Sequence, residues 1–247
     1  MLISIWGRDG SGKSTLADYL GSQISKKSLA AVIDTDLTQP TLPIRLPGFC
    51  FVKDNSLGRA IAGAGTMEIK RYLHQDPKND GLFYAGLLND DDYLAYEIGL
   101  EAESAADLFS KNCSAIVDHV ILDCSGQRTD PFVPLALKNS EHILILITPD
   151  LQGICWWQSV EPLLKQLNVL NKVHLVLSPV HRHHQESWIQ ESLGIKIAAT
   201  LPLADELNIL RCSGQNPSET ITRSGRSWCR SATDLLGRLC QTGSDAS

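Results

Sequence analysis

The chain has 247 residues, of which 43% are hydrophobic and 20% charged, with a formal net charge of -6 at pH 7. That length and apolar content suit one α/β domain with a full core, and the acidic balance argues against a surface that binds nucleic acid along its whole extent. No run of about eighteen apolar residues is present to span a bilayer, and Met1-Leu2-Ile3-Ser4-Ile5 carries no basic leader, so a cytoplasmic location is expected. The seven cysteines are scattered without a CxxC pair; they read as reduced, mostly buried thiols rather than as disulfides or metal ligands.

The first predicted element is a strand, Leu2-Ile3-Ser4-Ile5-Trp6. It runs into Gly7-Arg8-Asp9-Gly10-Ser11-Gly12-Lys13-Ser14, and from Thr15 a helix carries Leu16, Leu20 and Ile24 at helical spacing. Strand, GxxxxGK[ST] loop and helix make a P-loop. Its glycines let successive backbone N–H groups face a phosphate at the positive end of the helix. Lys13 is expected on the β- and γ-phosphates and the Ser14 hydroxyl on Mg²⁺, with the rest of Gly7 to Thr15 forming the cradle. A Gly-rich turn without a ligand would leave the Lys-Ser pair unexplained.

Leu29-Ala30-Ala31-Val32-Ile33 follows as a buried parallel strand closed by Asp34-Thr35-Asp36, with its acids on the ligand side of the sheet. The Pro-rich passage from Gln39 to Gly48 reads as a loop. Residues 56–74 read as helical toward their end, Gly81 to Gly86 as a short strand, and Asp91 to about Ala115 as an amphipathic helix. His119-Val120-Ile121-Leu122-Asp123 is a strand of Walker B form, whose Asp123 is expected to hold Mg²⁺ directly or through water. Gly126 is expected to offer its amide to the γ-phosphate, with Gln127 to Asp130 as a second switch segment.

The later elements are strands over His142–Thr148, Val173–Leu177 and Lys196–Pro202, and helices over Gln152–Leu167 and Ser227–Leu239. This alternation predicts a mostly parallel central sheet with helices on both faces. One P-loop domain is expected over 1–241, with 242–247 as a loose tail.

These motifs resemble the MinD/ParA ATPases. The resemblance rests on the P-loop, Asp34-Thr35-Asp36, Ile121-Leu122-Asp123-Cys124-Ser125-Gly126, Thr148-Pro149-Asp150, and Leu193-Gly194 leading to Leu201-Pro202. Within that family the chain most resembles the TadZ or CpaE pilus-assembly localisation proteins. The resemblance implies ATP and Mg²⁺ as cofactors, slow hydrolysis, an ATP-bound homodimer, and a switch that places a partner complex in pilus assembly or in plasmid or chromosome partition. Arg8 falls on the family's signature-lysine position, from which it would reach phosphate as an arginine finger, while Asp9 replaces a glycine. By the same resemblance Asp36 would orient the attacking water, Asp34 would support the magnesium shell, and Pro202 with Asp205 would border the adenine. Ser178-Pro179 stands where many relatives have an Asn. Membrane or polar recruitment would come through a partner.

Adjacent histidines in His181-Arg182-His183-His184 read as a polar loop rather than a metal site. One of Trp156 and Trp157 is expected in the core and the other is a candidate partner anchor. Basic residues of the C-terminal part, such as Arg211 and Arg223, are offset by acids such as Glu206 and Glu219, so DNA binding is not favoured. Two rival readings are a nucleotide kinase, which the Asp9 to Thr15 loop also resembles, and a scaffold with little turnover.

Overall fold

The computed structural model describes residues 1–36, 39–62, 69–89, 91, 112–181, 183–184 and 186–242. Its frame is an eight-stranded sheet: β1 (Leu2–Gly7), β2 (Ala30–Asp34), β3 (His74–Asp76), β4 (Asn79–Ala85), β5 (His119–Asp123), β6 (His142–Ile147), β7 (Val173–Val180) and β8 (Ile197–Pro202). The spatial order is β3-β4-β2-β5-β1-β6-β7-β8, and every neighbour pair is parallel except β3 with β4. β1 lies between β5 and β6. The chain leaves β1 toward β2 on one side and returns to the other side with β6, so the loop after β1 stands at the switch point where such sheets bind ligands.

The residues of β1 explain the layers. All six are buried. Leu2 and Trp6 point into one core, Ile3 and Ile5 into the other, as the two-residue period of a strand requires. The first core is roofed by α4 (Phe132–Asn139), α5 (Leu151–Gln166) and α6 (Glu186–Leu193), through Val133, Leu137, Trp157, Val160 and Ile189. The second is roofed by α1 (Lys13–Ile24), α7 (Asp205–Cys212) and α8 (Arg223–Thr242), through Leu16, Leu20, Leu207, Trp228 and Leu235. Asp150 caps α5 by accepting from Gly153 N at 2.7 Å, which satisfies an orphan donor of the first turn.

The ends of the sheet differ. β3 is three residues long, antiparallel, with a register shift between Gln75 and Asp76. At the other end the Arg238 side chain of α8 donates to the carbonyl of Ala198 in β8.

Several expectations need correction. The 39–48 passage holds a short helix, α2 (Leu42–Arg45), with Pro43 in its first turn, where a missing N–H costs nothing. Within 56–74 the helix α3 (Leu57–Ala62) lies at the start, the end holds only a 3₁₀ turn over Ile69–Arg71, and His74 begins β3. The strand at 81–86 begins at Asn79 as half of a hairpin. Most of the helix expected over 91–115 lies outside the described residues, as do 243–247 of the tail; Thr242 ends α8. α4, α6 and α7 answer to no predicted element. Cys113 and Cys124 are buried, but Cys50, Cys155, Cys212 and Cys240 are exposed. Trp157 is in the core, and Trp156 also packs inward, edge-on to Trp6 at 5.1 Å between ring centres; the exposed tryptophan of this region is Trp188 of α6.

Candidate functional site

The loop after β1 has the form its sequence dictates. Arg8 turns the chain, its carbonyl accepting from Ser11 N at 3.2 Å. Gly12 stands before α1 at φ 91°, in the left-handed region that glycine occupies without strain, and its carbonyl accepts from Leu16 N at 3.0 Å to start the helix. Lys13 is the first residue of α1 and its side chain is almost enclosed. Its ammonium donates to the Arg8 carbonyl at 3.2 Å and to Asp9 Oδ1 at 3.4 Å. The Ser11 hydroxyl is buried and has no hydrogen-bond partner. Gly126 lies against the loop: a Cβ there would stand 2.0 Å from Asp9 Oδ1 and 3.1 Å from Asp9 N. With any larger residue there, the Asp9 side chain would have to move aside.

The acids converge from neighbouring strands. Asp34 and Asp123 are register partners at the carboxyl ends of β2 and β5. Asp34 accepts from Asp36 N at 3.0 Å, from Thr41 N at 3.1 Å and from the Thr41 hydroxyl, so both its oxygens are engaged in shaping the following loop. Asp36 in turn accepts from Gln39 N at 3.1 Å. Asp123 Oδ2 accepts from the guanidinium of Arg45, and Asp123 Oδ1 is buried without a hydrogen-bond partner. Arg45 also pairs with Asp18 Oδ1 at 3.4 Å. Burial pushes the Asp18 carboxyl up to about 7; Arg45 opposes that rise, and Asp123 and Asp34 add to it. Burial likewise holds the Asp34 carboxyl above its ordinary range, against the pull of Arg45. A cavity of about 190 Å³ opens beside Ser14, Thr15 and Asp18, with Arg45, Tyr84 and Asn216 in its wall.

The structure thus brings Gly7 to Thr15, Gly126, Asp34, Asp36 and Asp123 to the carboxyl ends of β1, β2 and β5. It places Pro202 and Asp205 elsewhere on the same edge, at the end of β8 and the start of α7, three strands from β1. As a site for Mg²⁺, Asp123 fits, because its orphaned Oδ1 is an acceptor for a cation or its water; Ser14 follows Lys13 in the first turn of α1 and lines a cavity that Asp123 does not line. Asp34 does not fit as a direct ligand, because its oxygens are already occupied. Sequence reasoning missed Asp18 and Arg45. Asp18 had a signal, since it lies four residues beyond Ser14 and so on the same helix face; Arg45 had none, set in a Pro-rich stretch read as a loop.

No protein-family model matches the chain, and no curated protein matches it in sequence. Solved structures do match. The MinD protein of Pyrococcus horikoshii in complex with Mg-ADP superposes with a TM-score of 0.80 at 15% identity, covering 97% of this chain and 96% of that one. A ParA family ATPase from Chlorobium tepidum gives 0.78 at 15% identity over 94% and 98%, and a chain of the MinC:MinD cell division protein complex of Aquifex aeolicus gives 0.74 at 15% identity over 96% of each chain. With the sheet order and the loop after β1, these matches define the fold as a P-loop NTPase of the MinD/ParA kind. No helix among the described residues is long and apolar enough to cross a membrane.

Proposed function

We propose that the chain binds ATP on the loop Gly7 to Thr15 and hydrolyses it slowly, cycling between a monomer and an ATP-bound dimer that places a partner complex. The observation that carries this reading is the enclosed Lys13 ammonium at the switch point of the sheet, within a loop whose glycine geometry is that of a phosphate cradle. Lys13 and Arg8 balance phosphate charge. Ser14 and Asp123 are the groups that would hold Mg²⁺, which when bound offsets charge on the β- and γ-phosphates. Asp36 orients the attacking water, and Gly126 offers its amide to the terminal phosphate. Pro202 and Asp205 border the base. The neighbours lend support, since one is a MinD complexed with Mg-ADP and another belongs to a MinC:MinD complex. A pilus-assembly role of the TadZ or CpaE type is the specific reading the sequence motifs favour. Asp9 on Lys13 favours slow turnover.

The test is molar mass in solution without nucleotide, with ADP, and with ATP plus Mg²⁺, while phosphate release is recorded from the same sample. A dimer confined to the ATP sample, with slow release, is the expected result. Lys13→Ala is expected to weaken ATP binding at least about tenfold, as loss of a charge-assisted phosphate contact implies. Mass independent of nucleotide, together with ATP binding unaltered in that variant, would refute the proposal.

A further inference from the structure

Three carboxylates from three elements face one another behind the P-loop: Asp18 of α1, Asp34 of β2 and Asp123 of β5. Burying a carboxylate without a counter-charge is expensive, and here the counter-charge is built into the chain. Arg45 reaches Asp123 Oδ2 with one guanidinium nitrogen and pairs with Asp18 through the other, and its side chain is only 4% exposed. Its position is fixed from both sides. Leu42 and Leu46, which flank it on and just after α2, are 0% and 2% exposed in the core beneath α1, and Thr41 is tied to Asp34. Lys13, the other enclosed cation here, is directed instead to the Arg8 carbonyl and to Asp9.

A guanidinium keeps its charge at any pH the protein meets. A divalent ion drawn to Asp123 would meet that charge at close range in a poorly screened interior. We propose that Arg45 is the resident counter-cation of Asp123: it occupies Oδ2 and, by its charge, weakens the hold of the remaining Oδ1 on a divalent ion, so ATP binding by the wild-type chain is only weakly coupled to Mg²⁺. This rests on the reading of the loop as an ATP site. It adds that Arg45 decides how far that site depends on metal.

Two measurements on the full chain test it. Affinity for a fluorescent ATP analogue is measured in Mg²⁺ and in EDTA, and uptake of Mn²⁺ by the nucleotide-free protein is followed through the spectrum of the free ion. In the wild type, EDTA is expected to weaken binding about threefold or less, and in Arg45→Gln about tenfold or more, since removing the competing charge releases the acids to a metal. Arg45→Lys, which keeps the charge, is expected to stay near the wild type. Arg45→Gln is also expected to take up Mn²⁺ at about a tenth of the concentration the wild type needs. A wild type that loses about tenfold or more in EDTA overturns the proposal, and so does equal Mn²⁺ uptake by wild type and Arg45→Gln. If the wild type binds no ATP in either buffer, the functional reading fails while the Mn²⁺ comparison still decides the role of Arg45. If Arg45→Gln does not fold by circular dichroism, the wild-type ratio and Arg45→Lys decide it.

Discussion

Asp9 and Lys13 set the resting charge of the phosphate loop. The Asp9 carboxylate is 70% exposed yet lies 3.4 Å from the Lys13 ammonium and over Gly126, where it offers Lys13 an anion of the chain's own. An incoming triphosphate must displace that carboxylate and then bind beside its charge. Asp9→Asn is therefore expected to tighten ATP binding about threefold to tenfold, the scale of one partly screened charge at contact distance; titration with a fluorescent analogue at two salt concentrations measures it, with the gain shrinking at high salt. A second prediction concerns the close approach at Gly126. Gly126→Ala in the wild type must push the Asp9 side chain aside, whereas in Asp9→Gly the added methyl meets no carboxylate and only the backbone nitrogen of residue 9, at 3.1 Å, stays close. The two substitutions are expected to be non-additive in ATP affinity, and a double-mutant cycle reads that coupling.

At the scale of elements, the sheet strands that bear the site were legible because each is an apolar run closed by chemistry: Leu2 to Trp6 by the glycine loop, Leu29 to Ile33 by Asp34, and His119 to Leu122 by Asp123. A buried parallel strand has one reading along its length. The short helices were illegible for physical reasons. α2 is four residues with a proline in its first turn, and α4, α6 and α7 are eight residues each, too short for a 3.6-residue period to stand out. Arg45 was lost with α2, and with it half of the charge arrangement at Asp123. The two tryptophans of α5 illustrate the same limit, since helical spacing placed one inward and said nothing of Trp6, the ring that draws Trp156 in as well. Trp157→Ala is expected to destabilise the fold by about 3–5 kcal/mol as a large core truncation. Trp188→Ala, at a ring 45% exposed, is expected to change stability by less than about 0.5 kcal/mol. Urea unfolding of the two variants separates these outcomes.

For the molecule as a whole, the amino-terminal edge of the sheet is a second centre of titration, remote from the phosphate loop. His142 at the start of β6 and His174 near the start of β7 share a hydrogen bond, Nδ1 to Nε2, at 3.2 Å. One ring must donate and the other accept, so both cannot be charged while the bond stands. Burial holds both rings below the ordinary histidine value, and the His142 charge adds to the lowering at His174. The unfolded chain, with histidines near 6.5, therefore binds more protons than the folded one just below that pH. The stability this pair contributes is present above about 6.5 and is lost as pH falls toward the folded values. The urea midpoint is expected to drop between pH 7.5 and 5.5 by more in the wild type than in His174→Gln, whatever the offset between the two proteins at pH 7.5.

The sheet's two margins carry a consequence for how this chain can associate. A bare strand at either side would be a template onto which further backbone could zip, producing open-ended fibrous growth that no ligand could reverse. On one margin β3 is brief and bulged, and on the other Arg238 already holds the Ala198 carbonyl. Backbone pairing between copies along either margin is thereby disfavoured, and any contact between copies falls to side-chain surfaces.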